Sequence, residues 1–173
     1  MSVISIAIGQ GEIQLTPLQL ANVAAIIANR GYFYTPHIVK AIGSLNNLNK
    51  KYLIKRYTKV NPEYFEYVAQ GMLGVLEGGT AHNVKMDSIK VCGKTGTVQN
   101  AGKNHSIFIA FAPKDNPQIA IAAVVENSGY GATWAAPVAS LMIEKYLTHK
   151  VKRLELEKNI MDSKLIINAN PHE

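Results

Sequence analysis

The chain has 173 residues, of which 47% are hydrophobic and 17% charged, with a formal net charge of +6. That length suits one domain or a large piece of one, and so low a charged fraction with so much apolar material excludes a disordered chain. The positive balance admits an acidic partner such as nucleic acid or anionic lipid, and is equally met by a solvated basic surface. In chain order, the first strong element is a helix. Thr16 is its N-cap, Pro17 fits its first position, and Gln19 completes a capping box. Leu20, Val23, Ala24 and Ile27 form one apolar stripe, and Leu18, Ala21, Ala25 and Ala28 make the other faces apolar too, which predicts burial on most sides. Asn29, Arg30 and Gly31 end it, with Gly31 suited to the left-handed cap. Residues 32–36 and 37–40 read as short extended segments interrupted by Pro36. Residues 43–49 read as a polar loop, and 52–60 as a further extended segment.

A second helix is predicted from the Asn61 cap and Pro62. Its inner stripe is Phe65, Val68, Met72, Val75 and Leu76. Gly71 and Gly74 inside it each cost up to about 1 kcal/mol against alanine, which suggests close packing on a neighbour; Gly78 and Gly79 stop the helix. The second half then reads as a meander, with strands at 90–99, 106–112 and 118–127 joined by short turn-rich links. Short links favour antiparallel neighbours. The second and third strands are apolar at nearly every position, which predicts helices over both faces of the sheet. A last helix is expected at 137–147. Beyond Thr148 the chain is charged and aperiodic, and its end at 168–173 is expected to fray.

Several features exclude chemistry. One cysteine, Cys92, allows no internal disulfide and reads as a buried small hydrophobe beside a strand. His82 and His105 have no partners at metal-ligand spacing, so no metal is expected. Trp134 reads as a packing residue ahead of the last helix. No apolar run approaches the roughly 18 residues of a membrane span, and the start shows neither a basic region nor a cleavage site of a signal peptide. The basic run at 50–59 contains Tyr52 and Tyr57, which could stack bases; its alternating pattern equally fits an exposed strand.

The residues with the most chemical content are Gly93, Lys94, Thr95, Gly96 and Thr97. A phosphate loop would need glycine five positions before Gly93, where Ser88 stands, and would open directly into a helix, whereas residues 98–102 lead to a turn. The other reading is the Lys-Thr-Gly strand of penicillin-recognising enzymes. Its context agrees: a predicted strand followed by two antiparallel strands and a closing helix.

Taken together, the chain resembles the C-terminal half of the transpeptidase domain of class B, elongation-specific penicillin-binding proteins. The matching stretches are Ile8 to Glu12 (Ile-Gly-Gln-Gly-Glu), Thr16 to Asn22, Asn29 to Gly31, Tyr34 to His37, Gly78 to Ala81, Gly93 to Thr97, Phe111 to Pro113 and Val125 to Asn127. The resemblance implies a fold of α/β content (α+β), an antiparallel sheet between helices, as in the C-terminal portion of the penicillin-binding protein and serine β-lactamase fold. It covers residues 1–147 and leaves 148–173 as a charged tail. It implies that the Lys94 ammonium and Thr95 hydroxyl hold the terminal carboxylate of a D-alanyl-D-alanine stem peptide or a β-lactam. Gly96 lets substrate backbone approach closely, and the Thr97 N–H supplies one arm of an oxyanion hole. The strand edge would pair with extended substrate.

The chain also departs from the family pattern. It has no Ser-x-x-Lys, and its one Ser-x-Asn, Ser44-Leu45-Asn46, falls in the polar loop after the Gly-Gln-Gly segment instead of before it. The nucleophilic serine is therefore expected upstream of Met1, and the fragment alone is expected to be inactive. The resemblance further implies no metal or organic cofactor, peptidoglycan, β-lactams and the wall-elongation machinery as partners, no nucleic acid, and the periplasmic face of the inner membrane as location, through an anchor outside this chain. A serine β-lactamase or β-lactam sensor would share the fold; a non-enzymatic basic binding module is the reading furthest from it.

Overall fold

In the computed structural model, which describes residues 3–7, 9–11, 13–41 and 49–165, three strands form an antiparallel sheet in the order β3-β4-β5. Ile8 and Glu12 of the first matching stretch, Ser44, Leu45 and Asn46, and the end at 168–173 lie outside the described residues. The strands are β3 (Cys92–Val98), β4 (His105–Ala112) and β5 (Ile119–Val125), close to the predicted spans. Successive strand residues point to opposite faces, so each face of β4 needs its own cover. On one face Phe108 and Ala110 pack with Ala135, Ala136, Ala139 and Ile143, the inner side of α4 (Ala135–Thr148). On the other, Phe111 and Cys92 pack with Ala28, Ala69 and Met72, from α2 (Pro17–Ala28) and α3 (Pro62–Glu77). Helices on both faces are what the uninterrupted apolar strands require. Phe108 and Phe111 are fully buried, while Ile107 and Ile109 stay half-buried.

A five-residue helix, α1 (Val3–Ala7), opens the described chain. α2 starts as its sequence dictates: the Thr16 side chain accepts from the Gln19 N–H, and the Gln19 side chain returns a bond to the Thr16 N–H. Its burial differs from expectation. Only Ala24 and Ala28 are fully buried, and Leu18 is 61% exposed. The helix covers the sheet with one side, and no described element packs on its outer side. Its C-terminus also differs. Arg30 takes the left-handed position at φ 56, followed by Gly31 at φ 108, and their N–H groups bond Ile27 O and Ile26 O, a Schellman ending. The Arg30 guanidinium recovers part of the cost of that conformation by donating to Ile27 O and Ala28 O, two of the carbonyls a helix end leaves unpaired.

Arg30 and Lys114 both bond the Glu66 carboxylate, at 2.8 and 2.6 Å, joining the end of α2, the middle of α3 and the β4–β5 turn. Lys114, then Arg30, hold the Glu66 carboxyl below its ordinary value of 4.5. A carboxylate with a lowered folded pKa stabilises above its unfolded pKa and loses that contribution as pH falls through the folded one. Glu66→Gln is therefore expected to lower the thermal midpoint modestly at neutral pH. The gap to the parent should close as pH falls below about 4.5, the ordinary carboxylate value. A gap that persists at pH 2 would mean the pair contributes by packing alone.

α3 follows its predicted start, with Asn61 capping the Glu63 N–H. Its buried side is Phe65, Ala69, Met72 and Leu76, so Ala69 stands where the expected stripe has Val68, which is 46% exposed. Among the described residues Gly71 and Gly74 do not meet a neighbour; a Cβ added to either has nothing within 4 Å. Their helix-breaking cost is thus not repaid by packing. Gly71→Ala and Gly74→Ala should each stabilise the chain by about 0.5–1 kcal/mol, read as a raised denaturation midpoint. A lowered midpoint would reveal a contact on that side of α3.

The middle of the chain is less regular than its pattern. Only Tyr32–Phe33 (β1) and Arg56–Tyr57 (β2) pair, antiparallel, and residues 50–52 of the basic run form a single 3-10 turn. Residues 34–40 leave the ladder around Pro36, which has no N–H to contribute. Past Thr148, where the sequence reads as aperiodic, Leu154–Met161 forms helix α5. Its anchor is tertiary: Arg153 donates to Glu144, Val84 O and Ser140 O, and Glu144 is buried within α4. None of the described helices is long and apolar enough to cross a membrane.

Candidate active site

Residues 93–97 all lie on β3, the edge strand of its sheet. They stand at no helix N-terminus, which removes the phosphate loop. Lys94 sits opposite Ile109 and is exposed, with Nζ donating to Thr95 O at 2.7 Å. Thr95 and Thr97, one position out of phase, sit opposite Phe108 and Ser106 on the other face.

The open edge carries specific backbone groups. Gln10 Nε2 donates to Thr97 O at 3.0 Å, so that carbonyl points away from β4. Within a strand the N–H and C=O of one residue share a side, and the pattern repeats every second residue. The N–H groups of Thr97 and Thr95 therefore also face the open edge. Gln10 belongs to the Gly-Gln-Gly stretch, for which sequence reasoning gave no role; here it reaches the far end of the motif strand.

Thr95 Oγ1 shares a hydrogen bond of 2.8 Å with Thr80 Oγ1. Thr80 follows the glycines that stop α3, and its stretch had been noted without a function. The hydroxyl of Thr95 is thus oriented from within the chain.

Two glycines of the motif differ in why they are glycine. A Cβ on Gly93 would lie 2.3 Å from Phe108 Cζ, so packing alone forbids a side chain there. A Cβ on Gly96 would meet nothing closer than 3.4 Å, an ordinary contact. Nothing among the described residues requires glycine at 96. Behind the strand, Gly131 lies so close that an added Cβ would be 2.5 Å from both Gly96 O and Ile107 O. Ser106, buried under the same loop, donates to Tyr130 O and accepts from the Ala135 N–H. The sequence offered no signal for Ser106, because its partners are backbone groups from a distant loop.

Cys92 is buried, its thiol donates to Ala69 O, and burial pushes its pKa up to about 11. Such a thiol is not a nucleophile at neutral pH. His82 Nδ1 lies on the carbonyls that end α3, and His105 Nδ1 accepts from the Asn127 N–H. Among the described residues no cluster of His, Cys, Asp or Glu could hold a metal ion. Trp134 is half-buried at the start of α4 and lines a cavity of about 510 Å³ that also touches Thr80. The site thus combines an exposed ammonium, an oriented hydroxyl and outward N–H groups on one unpaired edge.

Comparison with known proteins gives a consistent result. Residues 2–144 match the family model described as the penicillin binding protein transpeptidase domain. The chain is 34% identical to the peptidoglycan D,D-transpeptidase MrdA of Haemophilus influenzae over 88% of its own length and 27% of that protein's. It is 31% identical to the peptidoglycan D,D-transpeptidase PbpA of Mycobacterium tuberculosis, over 82% of this chain and 31% of the relative. The crystal structure of Pseudomonas aeruginosa PBP2 in complex with WCK 5153 superposes with a TM-score of 0.73 at 34% identity, covering 86% of this chain and 34% of that one. The chain therefore spans about a quarter of the curated relatives it matches first. On a fold, a motif strand and a family match that coincide, the chain belongs to the penicillin-binding protein transpeptidase family.

Proposed function

We propose that the whole protein is a peptidoglycan D,D-transpeptidase, and that β3 of this chain holds the terminal carboxylate of its substrate. The observation that carries the reading is the open edge of β3, where Lys94 Nζ, the Thr95 hydroxyl and two outward N–H groups, without a partner among the described residues, lie within one five-residue stretch. A carboxylate takes charge-assisted bonds from the ammonium and the hydroxyl. An extended D-alanyl-D-alanine end then lies along the edge as an added strand. Gly96, which the chain's own packing does not require, leaves room for it. The Thr97 N–H points where a developing oxyanion would need a donor.

The reaction needs a serine that these 173 residues do not pair with a lysine in Ser-x-x-Lys; we assign it to the rest of the protein. Its Oγ bonds to the penultimate D-alanine carbonyl carbon, and its proton passes to a base. The amide bond to the last residue breaks, and D-alanine leaves carrying a proton. An amine of a neighbouring peptide then attacks the ester, forms the cross-link and returns the proton to serine. A β-lactam carboxylate would occupy the same contacts. A complex of PBP2 with MreC from Helicobacter pylori is among the similar structures, at a TM-score of 0.67 and 26% identity, which supports wall-elongation proteins as partners; the periplasmic face of the membrane, where the cell wall is built, is the location this reading implies.

The test is acylation of the whole protein by a labelled penicillin. Lys94→Ala should slow acylation by roughly 10- to 100-fold, the worth of a charge-assisted bond of about 1.5–3 kcal/mol. Cys92→Ala, which changes only a buried thiol, should leave the rate nearly unchanged. Equal losses from both variants would sink the assignment of Lys94.

A further inference from the structure

The cavity beside Thr80 is walled by parts of the chain that meet only in the folded state. Its lining joins Trp134 and Pro137 at the start of α4, Leu156, Asn159 and Ile160 of α5, and Thr80 and Asn83. It is a depression largely open to solvent, of about 510 Å³, a volume within the roughly 300–1,000 Å³ usual for small-molecule sites. α5 lies beyond the residues matched to the family domain, which end at 144. It is nevertheless a fixed wall, because the guanidinium of Arg153, at its N-terminus, is bonded to the buried Glu144, to Ser140 O and to Val84 O.

Its lining is selective. None of the twelve lining residues is Asp, Glu, Lys or Arg, in a chain of net charge +6. A charged ligand would meet His82 as the one titratable side chain of the lining, with no carboxylate, ammonium or guanidinium beside it, and would lose part of its hydration. The walls are of two kinds: the Trp134 ring with the Leu156 and Ile160 side chains, and the polar ends of Thr80, Asn83 and Asn159. A wholly apolar ligand would strip water from those polar ends without replacing it. A pyranose ring suits both, since its axial C–H groups form an apolar face that stacks on an aromatic ring, while its equatorial hydroxyl and acetamido groups exchange hydrogen bonds with amides. Asn83 is already oriented, its Nδ2 donating to Ala132 O at 3.1 Å, which turns Oδ1 toward donors such as sugar hydroxyls.

The cavity is joined to the motif strand through one residue. Thr80 lines it and also bonds Thr95. We propose that this cavity binds an uncharged N-acetylated sugar ring of the glycan strand that bears the stem peptide, so that the chain grips its substrate by the sugar backbone as well as by the peptide end. The assignment of the sugar to that strand rests on the transpeptidase reading; the chemistry of the cavity does not.

The whole protein, labelled with 5-fluorotryptophan, gives the test. Loss of one fluorine resonance in Trp134→Phe identifies the reporter inside the cavity. Chitotetraose, a neutral oligomer of N-acetylglucosamine, should shift that resonance saturably. Cellotetraose, which lacks acetamido groups, should bind at least severalfold more weakly, and Asn83→Ala and Asn159→Ala should each weaken chitotetraose severalfold. Absence of a chitotetraose shift overturns the proposal, as does a shift produced by an acetylated D-alanyl-D-alanine peptide and not by the sugar. Acylation by labelled penicillin, measured on the same samples, separates the two readings. Acylation without a sugar shift sinks only the sugar site. A sugar shift in a protein that penicillin never acylates keeps the sugar site and sinks the transpeptidase.

Discussion

Gly131→Ala should destabilise this chain by about 3 kcal/mol, the upper part of the range for overpacking, and lower its thermal midpoint by roughly 6–12 °C. The reason is what the new methyl group would strike. Its Cβ would stand 2.5 Å from two carbonyl oxygens, those of Gly96 and Ile107. Both are backbone atoms in a paired ladder, and neither can swing aside as a side-chain tip would. Relief requires the loop to lift, which pulls the Ser106 hydroxyl away from Tyr130 O and the Ala135 N–H, or the β3–β4 pair to shift, which moves Gly96. In the whole protein either route should also slow acylation by penicillin, because the edge that meets the ligand moves. Gly102→Ala is the matched control: a Cβ there has nothing within 4 Å, so its midpoint should change little. Equal midpoints for the Gly131 variant and the parent would mean that the loop is not seated on the strand.

The 173-residue chain by itself should form no covalent adduct with a labelled penicillin. Opening the β-lactam ring at an enzymatic rate takes a nucleophile with a base in reach. No serine here has a lysine three residues on, and Lys94 Nζ is bonded to the Thr95 carbonyl. The one thiol is buried, with its pKa pushed up to about 11. Carboxylate and oxyanion contacts can orient a ligand, but they do not form the acyl bond. A stoichiometric, heat-stable fluorescent band that unlabelled penicillin suppresses would show a nucleophile within these residues and overturn the division of labour proposed above.

The parts of the fold set by short-range rules were legible in the sequence. The capping box at Thr16 and Gln19, the Asn61 cap, the glycine stop of α3 and the three strands all depend on neighbours in the chain, and all appear within a residue or two of expectation. The motif strand was legible because its residues are contiguous. What failed depends on distant partners. Gly71 and Gly74 read as packing sites because small residues on a helix usually have a neighbour, and here they have none. Arg30 holds a backbone conformation expected of Gly31, because its guanidinium finds carbonyls and Glu66. α5 is short, with Leu156 and Ile160 one turn apart on its apolar side, and its N-terminus is held by Arg153 through Val84 O, a partner far away in sequence. At the site, Thr80 and Ser106 went unassigned for the same reason: each acts through an atom far away in sequence, Thr80 on Thr95 and Ser106 on Tyr130 and Ala135.

The pairing of Glu144 with Arg153 changes where this domain ends. The match to the family model stops at residue 144, which is itself an acid only 5% exposed. Its counter-charge arrives nine residues later, from Arg153. Removing the Arg153 guanidinium alone would leave the acid in the interior without the cation that neutralises it, a loss of roughly 3–5 kcal/mol for a buried pair broken on one side. The end of the family-model match and the point where the charge of Glu144 is balanced are different places on this chain.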